Sequence, residues 1–239
     1  MVPCTDGPAD GPLAIVIGDS IAMSWTPAVE RALPDGWRVA ALGVSSCPFA
    51  LVSVDEKHGR SAFPTACEEA RNRDIDAALG AQPELVVVAS AEGSFTRLTS
   101  GATGQSAVAE WQAGLEKALD RFREAEVPVV VLGNPPETTA AADCAVRSGR
   151  PADCVRPPSS AYEFKARAEK AAVESARDTG MTVDYIDPTG WFCVPGLGCP
   201  PGVDGVLAKL DHGHLTETYS AMLGPLLRAE LSVAVTGRG

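Results

Sequence analysis

Leu13-Ala14-Ile15-Val16-Ile17-Gly18-Asp19-Ser20 is the stretch from which the fold is read. Five consecutive apolar residues, with no polar residue between them, have the pattern of a strand buried on both faces, and Gly18 ends the run. Residues 21–33 read as a helix, so Asp19 and Ser20 stand at a strand-to-helix junction. The bland reading of such a junction is a turn in which Asp19 or Ser20 caps the helix.

The same alternation recurs downstream. Strands are expected over 37–42, 85–89, 127–132 and 181–186, and helices over 68–79, 106–125, 161–179 and 216–231. The helix over 106–125 carries Val108, Trp111, Leu115, Leu119 and Phe122 at spacings of three and four, an amphipathic face. Residues 44–64 show little periodicity and read as an extended loop. Apolar strands separated by helices imply an α/β three-layer αβα sandwich on a five-stranded parallel sheet. At 239 residues and 45% hydrophobic content, one sizeable core over residues 12–239 is expected, preceded by a Pro/Gly/Asp linker remnant over 1–11.

In such sheets reacting groups gather at the carboxyl ends of the strands. Ser20, Gly43, Ser90 and Asn134 follow the first four strands, and Asp211-His212-Gly213-His214-Leu215 follows the fifth. A serine hydroxyl is a poor nucleophile until a histidine takes its proton and a carboxylate orients that histidine. Asp211 and His214, three positions apart, project to one side of a turn and can supply both from one segment. Gly-Asp-Ser and Asp-x-x-His are each common alone; their joint placement carries the reading of Ser20 as nucleophile, His214 as base and Asp211 as orienter. His212 is the decoy beside His214, and His58 reads as solvated. Trp25 and Trp191 could line an acceptor site but read as core or rim packing, and Glu92 reads as a surface charge.

Lysine plus arginine number 20 against 31 aspartates plus glutamates, a net charge of -11. No basic cluster is available for a phosphate backbone, so nucleic acid is excluded as a partner. A Gly-x-Ser-x-Gly elbow, His-Glu-x-x-His and a Walker loop are missing from the sequence, and neither a metal nor a cofactor is implied. Of seven cysteines none has zinc-type spacing, whereas Cys144 with Cys154 and Cys193 with Cys199 bracket short loops, and Cys47 with Cys67 is the natural third pair. Disulfides fit these positions, leaving Cys4 over; the other reading is buried reduced thiols, since spacing does not fix connectivity. Bridges imply an oxidising compartment. Residues 1–8 lack the basic start and apolar core of a secretory signal, and no segment is long and apolar enough to span a membrane. An export signal is then expected outside this chain.

Gly18-Asp19-Ser20, a glycine after the second strand, and Asp211-x-x-His214-Leu215 before the last helix resemble the SGNH hydrolase superfamily, which has a flavodoxin-like fold. With Ser46-Cys47-Pro48, Cys144 and Cys154, and Phe192-Cys193 through Cys199-Pro200 added, the chain is similar to the extracytoplasmic SGNH domain fused to membrane acyltransferase-3 proteins. The resemblance spans about residues 13–227. It implies an oxyanion hole from the backbone N–H groups of Ser20 and Gly43. The third block departs from the family: Ala89-Ser90-Ala91-Glu92-Gly93-Ser94 has no asparagine where Gly-x-Asn is usual. Ser90 or a backbone amide could substitute; Asn134 is a further candidate, although an asparagine before Pro135 is more often a turn residue. The implied activity is passage of an acyl group, acetyl being expected, through an acyl-serine to a hydroxyl of a cell-envelope glycan. The donor would be delivered by a fused or associated membrane acyltransferase domain, and the chain tethered through a membrane domain missing from it. The alternatives are a secreted carbohydrate esterase with the same three residues, and a degenerate glycan-binding module.

Overall fold

The computed structural model describes residues 5–6, 8, 10–56, 59, 61–144 and 151–236; Cys4 and His58 fall outside them. Its strands are β1 (Thr5–Asp6), β2 (Leu13–Gly18), β3 (Arg38–Gly43), β4 (Leu85–Ala89), β5 (Val129–Leu132), β6 (Val183–Ile186), β7 (Gly202–Val203) and β8 (Val206–Leu207). Its helices are α1 (Ser20–Ala32), α2 (Phe63–Gly80), α3 (Glu92–Phe95), α4 (Gly104–Arg123), α5 (Ala141–Cys144), α6 (Ser160–Asp178), α7 (Thr189–Phe192), α8 (Glu217–Met222) and α9 (Gly224–Thr236).

The main sheet runs β1-β3-β2-β4-β5-β6, and β2 to β6 are all parallel, the five strands that the apolar runs imply. Thr5 and Asp6, expected in a linker, add an antiparallel edge opposite Ala40 and Val39. The central strands lack polar residues because helices cover both faces. Ile15, Ile17, Val86, Val88, Val129 and Val131 pack with residues of α2, α4 and α6, while Ala14, Val16, Leu85, Val87, Val130 and Leu132 pack with α1, α8 and α9. Burying each large side chain of this kind stabilises the fold by roughly 1.5–3 kcal/mol. Trp111 and Phe122, on the amphipathic face read from the sequence, have no exposed surface.

Several boundaries differ from expectation, two of them substantially. Helix α2 begins five residues early, at Phe63, with Pro64 in its first turn. A proline is tolerated there because the first-turn N–H groups have no intrahelical acceptor. The expected helix over 216–231 is split at Gly224-Pro225 into α8 and α9. A Cβ on Gly224 would sit 2.3 Å from Arg31 Cβ, so α9 lies close against α1 at that point. The short α3 and α7 and the β7–β8 hairpin were not anticipated, being too brief to leave a periodic trace.

Candidate active site

The ends of three strands are pressed together. A Cβ on Gly18 would meet Ala89 O at 1.9 Å, and one on Gly43 would meet Gly18 O at 2.3 Å, so both positions need glycine. Asp19 follows, fully buried, as the N-cap of α1. Its Oδ1 accepts from Ile21 N at 2.9 Å and its Oδ2 from Ala91 N at 2.7 Å, tying the start of α1 to the loop after β4. Burial raises the pKa of this carboxyl, with the Ala91 and Ile21 amides acting against the rise.

Ser20 is the first residue of α1, and its Oγ lies 2.8 Å from His214 Nε2. On the other side of the ring, Nδ1 lies 2.7 Å from Asp211 Oδ2, while Asp211 Oδ1 accepts from Gly213 N and His214 N, each at 2.8 Å. Partial burial works against the Asp211 charge, but the bonds from His214 and Gly213 outweigh it and hold the carboxyl at about 2. An ionised Asp211 assigns the imidazole proton to Nδ1, so the Nε2 lone pair faces the Ser20 hydroxyl. The three residues meet because 209–215 forms a hairpin. Lys209 bridges to Leu215, Leu210 N donates to His214 O at 2.8 Å, and Thr216 N donates to Ala208 O at 3.0 Å. Thr216 then caps α8 through Tyr219 N.

Other residues singled out in the sequence fall elsewhere. His212 faces away from Ser20: its Nδ1 donates to Thr138 O at 2.9 Å, and Thr138 N donates to His212 O at 2.9 Å. Trp25 is core, edge-on to Trp191 and Phe192, while Trp191 is half-buried. Gly43 ends β3 beside Gly18, and Ser90 is buried after β4 with its Oγ accepting from Phe49 N at 3.0 Å. Asn134 is committed to the scaffold, its Oδ1 accepting from Glu92 N at 3.2 Å and its Nδ2 donating to Pro135 O at 2.7 Å.

Sequence reasoning missed a set of buried charges behind the site. Glu92 is not a surface charge: it is 5% exposed, accepts from Ser159 Oγ, and its pKa is raised by burial. Lys165 and Glu169 form a buried pair at 2.6 Å, and Lys209 is buried beneath the hairpin. Only their place on helix faces or in loops could have signalled this, and charged side chains on helices usually face water.

Three disulfides join Cys47 to Cys67, Cys144 to Cys154 and Cys193 to Cys199. The first secures the loop after β3, whose carbonyls at Pro48, Ala50 and Val52 accept from the buried Arg71 guanidinium. A cleft of about 820 Å³ is lined by Glu137, Thr138, Arg156, Pro157, Ser159 and His212, and none of Ser20, Asp211 or His214 lines it. Among the described residues no group of three or more His, Cys, Asp or Glu could hold a metal ion, and no helix is long and apolar enough to cross a membrane.

A family model for the SGNH domain fused to AT3 domains matches residues 2–229. The chain belongs to this family. Among solved structures, this SGNH domain is similar to the periplasmic domain of a lipopolysaccharide acetyltransferase from Salmonella ser. Paratyphi A, with TM-score 0.68 and 16% identity over 94% of this chain and 85% of that one. It is also similar to a putative acylhydrolase from Bacteroides fragilis, with TM-score 0.55 and 13% identity over 95% and 90% of the two chains. A GDSL-like lipase from Bacteroides thetaiotaomicron matches with TM-score 0.54 and 13% identity over 92% and 88%. No curated protein matches the chain in sequence. At these identities the likeness establishes the shared α/β fold. SGNH domains of such AT3 fusions are extracytoplasmic, and the three disulfides fit an oxidising compartment.

Proposed function

We propose that this SGNH domain takes an acyl group, acetyl in the first instance, onto Ser20 Oγ and passes it to a hydroxyl of a cell-envelope glycan. The observation that carries this reading is the run Ser20 Oγ, His214 Nε2, His214 Nδ1, Asp211 Oδ2 at hydrogen-bond distances. His214 removes the serine proton as Oγ attacks the acyl carbonyl, and returns it to the departing donor group. The acceptor hydroxyl then loses its proton to His214 as its oxygen attacks the acyl-serine carbonyl; the bond from the carbonyl carbon to Ser20 Oγ breaks, His214 returns the proton to Oγ, and the acyl group leaves on the acceptor. Asp211, ionised at all ordinary pH, holds the ring and stabilises its charged form.

The developing oxyanion needs donors. Asp19 Oδ1 occupies Ile21 N and leaves Ser20 N as an uncapped amide at the start of α1, where the helix dipole favours negative charge. Gly43 N, at the adjoining strand end, is the second donor, and the Ser90 hydroxyl is the candidate third. Fusion to an AT3 membrane domain suits delivery of the donor and tethering of the chain.

A second reading, hydrolysis of an acylated glycan, is favoured by the openness of the relay, since the His214 and Asp211 side chains are 39% and 52% exposed and water can reach the acyl-serine. Incubation with p-nitrophenyl acetate, with and without an oligosaccharide acceptor, separates the two. Acetylated oligosaccharide supports transfer; release of acetate alone favours the esterase. Replacement of Ser20 by Ala abolishes both, and turnover that survives it removes Ser20 from the mechanism.

A further inference from the structure

A buried lysine stands behind the hairpin and takes no part in the proton relay. Lys209 is 1% exposed, donates from Nζ to the carbonyls of Pro135, at 3.3 Å, and Pro136, and lies 5.4 Å from the centre of the Phe192 ring. No described carboxylate forms an ion pair with it. Burial pulls its pKa down to about 7, against the opposing influence of Glu137, Glu92 and Asp211, the charged groups that face it. Burying an ammonium that has no ion-pair partner is unfavourable. The contacts that Lys209 makes are therefore better explained by geometry than by stability.

Those contacts complete a polar circuit. Pro135 O also accepts from Asn134 Nδ2, Asn134 Oδ1 accepts from Glu92 N, and the neighbouring Ala91 N donates to Asp19 Oδ2. Asp19 precedes Ser20, Ser20 meets His214, and His214 sits on the hairpin whose base is the Lys209–Leu215 bridge. The tip of the hairpin has its own tie, between His212 and Thr138. Lys209 joins its base to the loop after β5, and so joins the two ends of the relay through the scaffold.

We propose that Lys209 is a positioning residue for the chemistry at Ser20, pinning the base of the hairpin to the Pro135 and Pro136 carbonyls so that the His214 imidazole points at the serine. The proposal rests on the reading of Ser20 as nucleophile. A shift of about 1 Å in a reacting group is enough to reduce turnover on the order of 100-fold.

The test compares the full chain with its Lys209→Met variant by p-nitrophenyl acetate hydrolysis, thermal melting and proton NMR. The NMR signal followed is the His214 Nδ1–H held by Asp211, assigned by its loss in His214→Ala. The expected result is a kcat lower by about 100-fold with KM within about twofold, protein that remains folded at the assay temperature, and a broadened or missing Nδ1–H resonance. A kcat within about twofold of the parent with the resonance unchanged overturns the proposal. So does a loss of turnover that only follows a lost folded fraction while the resonance persists. If the parent chain has no Ser20-dependent turnover, the nucleophile reading fails instead, and the resonance alone decides whether Lys209 positions the ring. Should Lys209→Met not fold, Lys209→Gln, whose shorter side chain holds its donor back from the Pro135 and Pro136 carbonyls, is read by the same three measurements with the same expected and overturning results.

Discussion

His214 Nε2 lies 2.8 Å from Ser20 Oγ although 194 positions separate the two residues. Their meeting follows from helix packing. Helix α1 starts at Ser20 and α8 follows the His214 hairpin, and both lie on the same face of the sheet, where Ile21 and Trp25 share a cluster with Tyr219 and Leu223. Ser220 Oγ accepts from Ala28 N at 3.2 Å, a buried bond that fixes how far α8 can slide along α1. A core contact about two helical turns from Ser20 thus ties α8 to α1.

Asp211→Asn isolates the role of the carboxylate. Asparagine keeps an oxygen for Gly213 N and His214 N, so the hairpin persists, but its amide N–H₂ faces Nδ1 and forces the imidazole into the tautomer whose Nε2 carries the proton. Such a ring cannot accept from Ser20. Turnover of p-nitrophenyl acetate is expected to fall by about four orders of magnitude in kcat with little change in KM. A fall of less than about tenfold in steady-state assays contradicts the assigned relay.

Asp19→Asn tests the junction itself. The aspartate accepts from Ile21 N with one oxygen and from Ala91 N with the other, with no exposed surface at the residue. An asparagine can satisfy only one of these donors and sets an N–H₂ against the second. One buried donor left without an acceptor destabilises by about 1–3 kcal/mol. Urea unfolding is expected to register a loss of this size, and kcat to fall because the loop after β4 is no longer held at the strand ends. An unchanged midpoint would mean that water replaces the lost bond.

The strands and their order of burial were legible because a parallel strand covered on both faces leaves an unbroken apolar run, as 13–17 and 85–89 do. Ser20, Asp211 and His214, which the structure brings together, could be singled out because a sharp strand-to-helix turn and a short Asp-x-x-His segment are local features. What was not legible depends on long-range burial. Glu92 resembles any solvated glutamate until Ser159 and Asn134 enclose its segment. Asn134 read as a turn residue or an oxyanion donor, but both ends of its amide hold the scaffold. The split at Gly224-Pro225 was missed because the apolar spacing continues through it.

Glu92→Gln makes the buried carboxyl visible through pH. Burial raises the folded pKa of Glu92 above its ordinary value. Between the unfolded and folded values the folded chain binds the extra proton, so the contribution of Glu92 is greatest in acid and declines as pH rises through that window. Glutamine keeps the oxygen that accepts from Ser159 but never ionises. The variant is therefore expected to match the parent near pH 4 and to be the more stable at pH 8, by denaturant unfolding at both. A difference that is the same at the two pH values would show that the carboxyl is not titrating in the folded chain.

The cysteines give a prediction in which chemistry and stability must agree. Seven are present, six are in the three bridges, and Cys4 remains. Denatured but unreduced protein should therefore titrate about one thiol per chain, and three or more would contradict the bridges. Removing the Cys47–Cys67 bridge by replacing both with Ser frees a 20-residue separation in the unfolded chain, a loss of about 2–4 kcal/mol. For a chain of this size that lowers the melting temperature by about 4–16 °C. The same bridge holds the loop that carries Phe49, whose N–H donates to Ser90 Oγ at the strand ends. Turnover should therefore fall below the temperature at which the variant begins to melt. Full activity in the folded variant would separate this loop from the reacting groups, leaving the bridge a purely stabilising part.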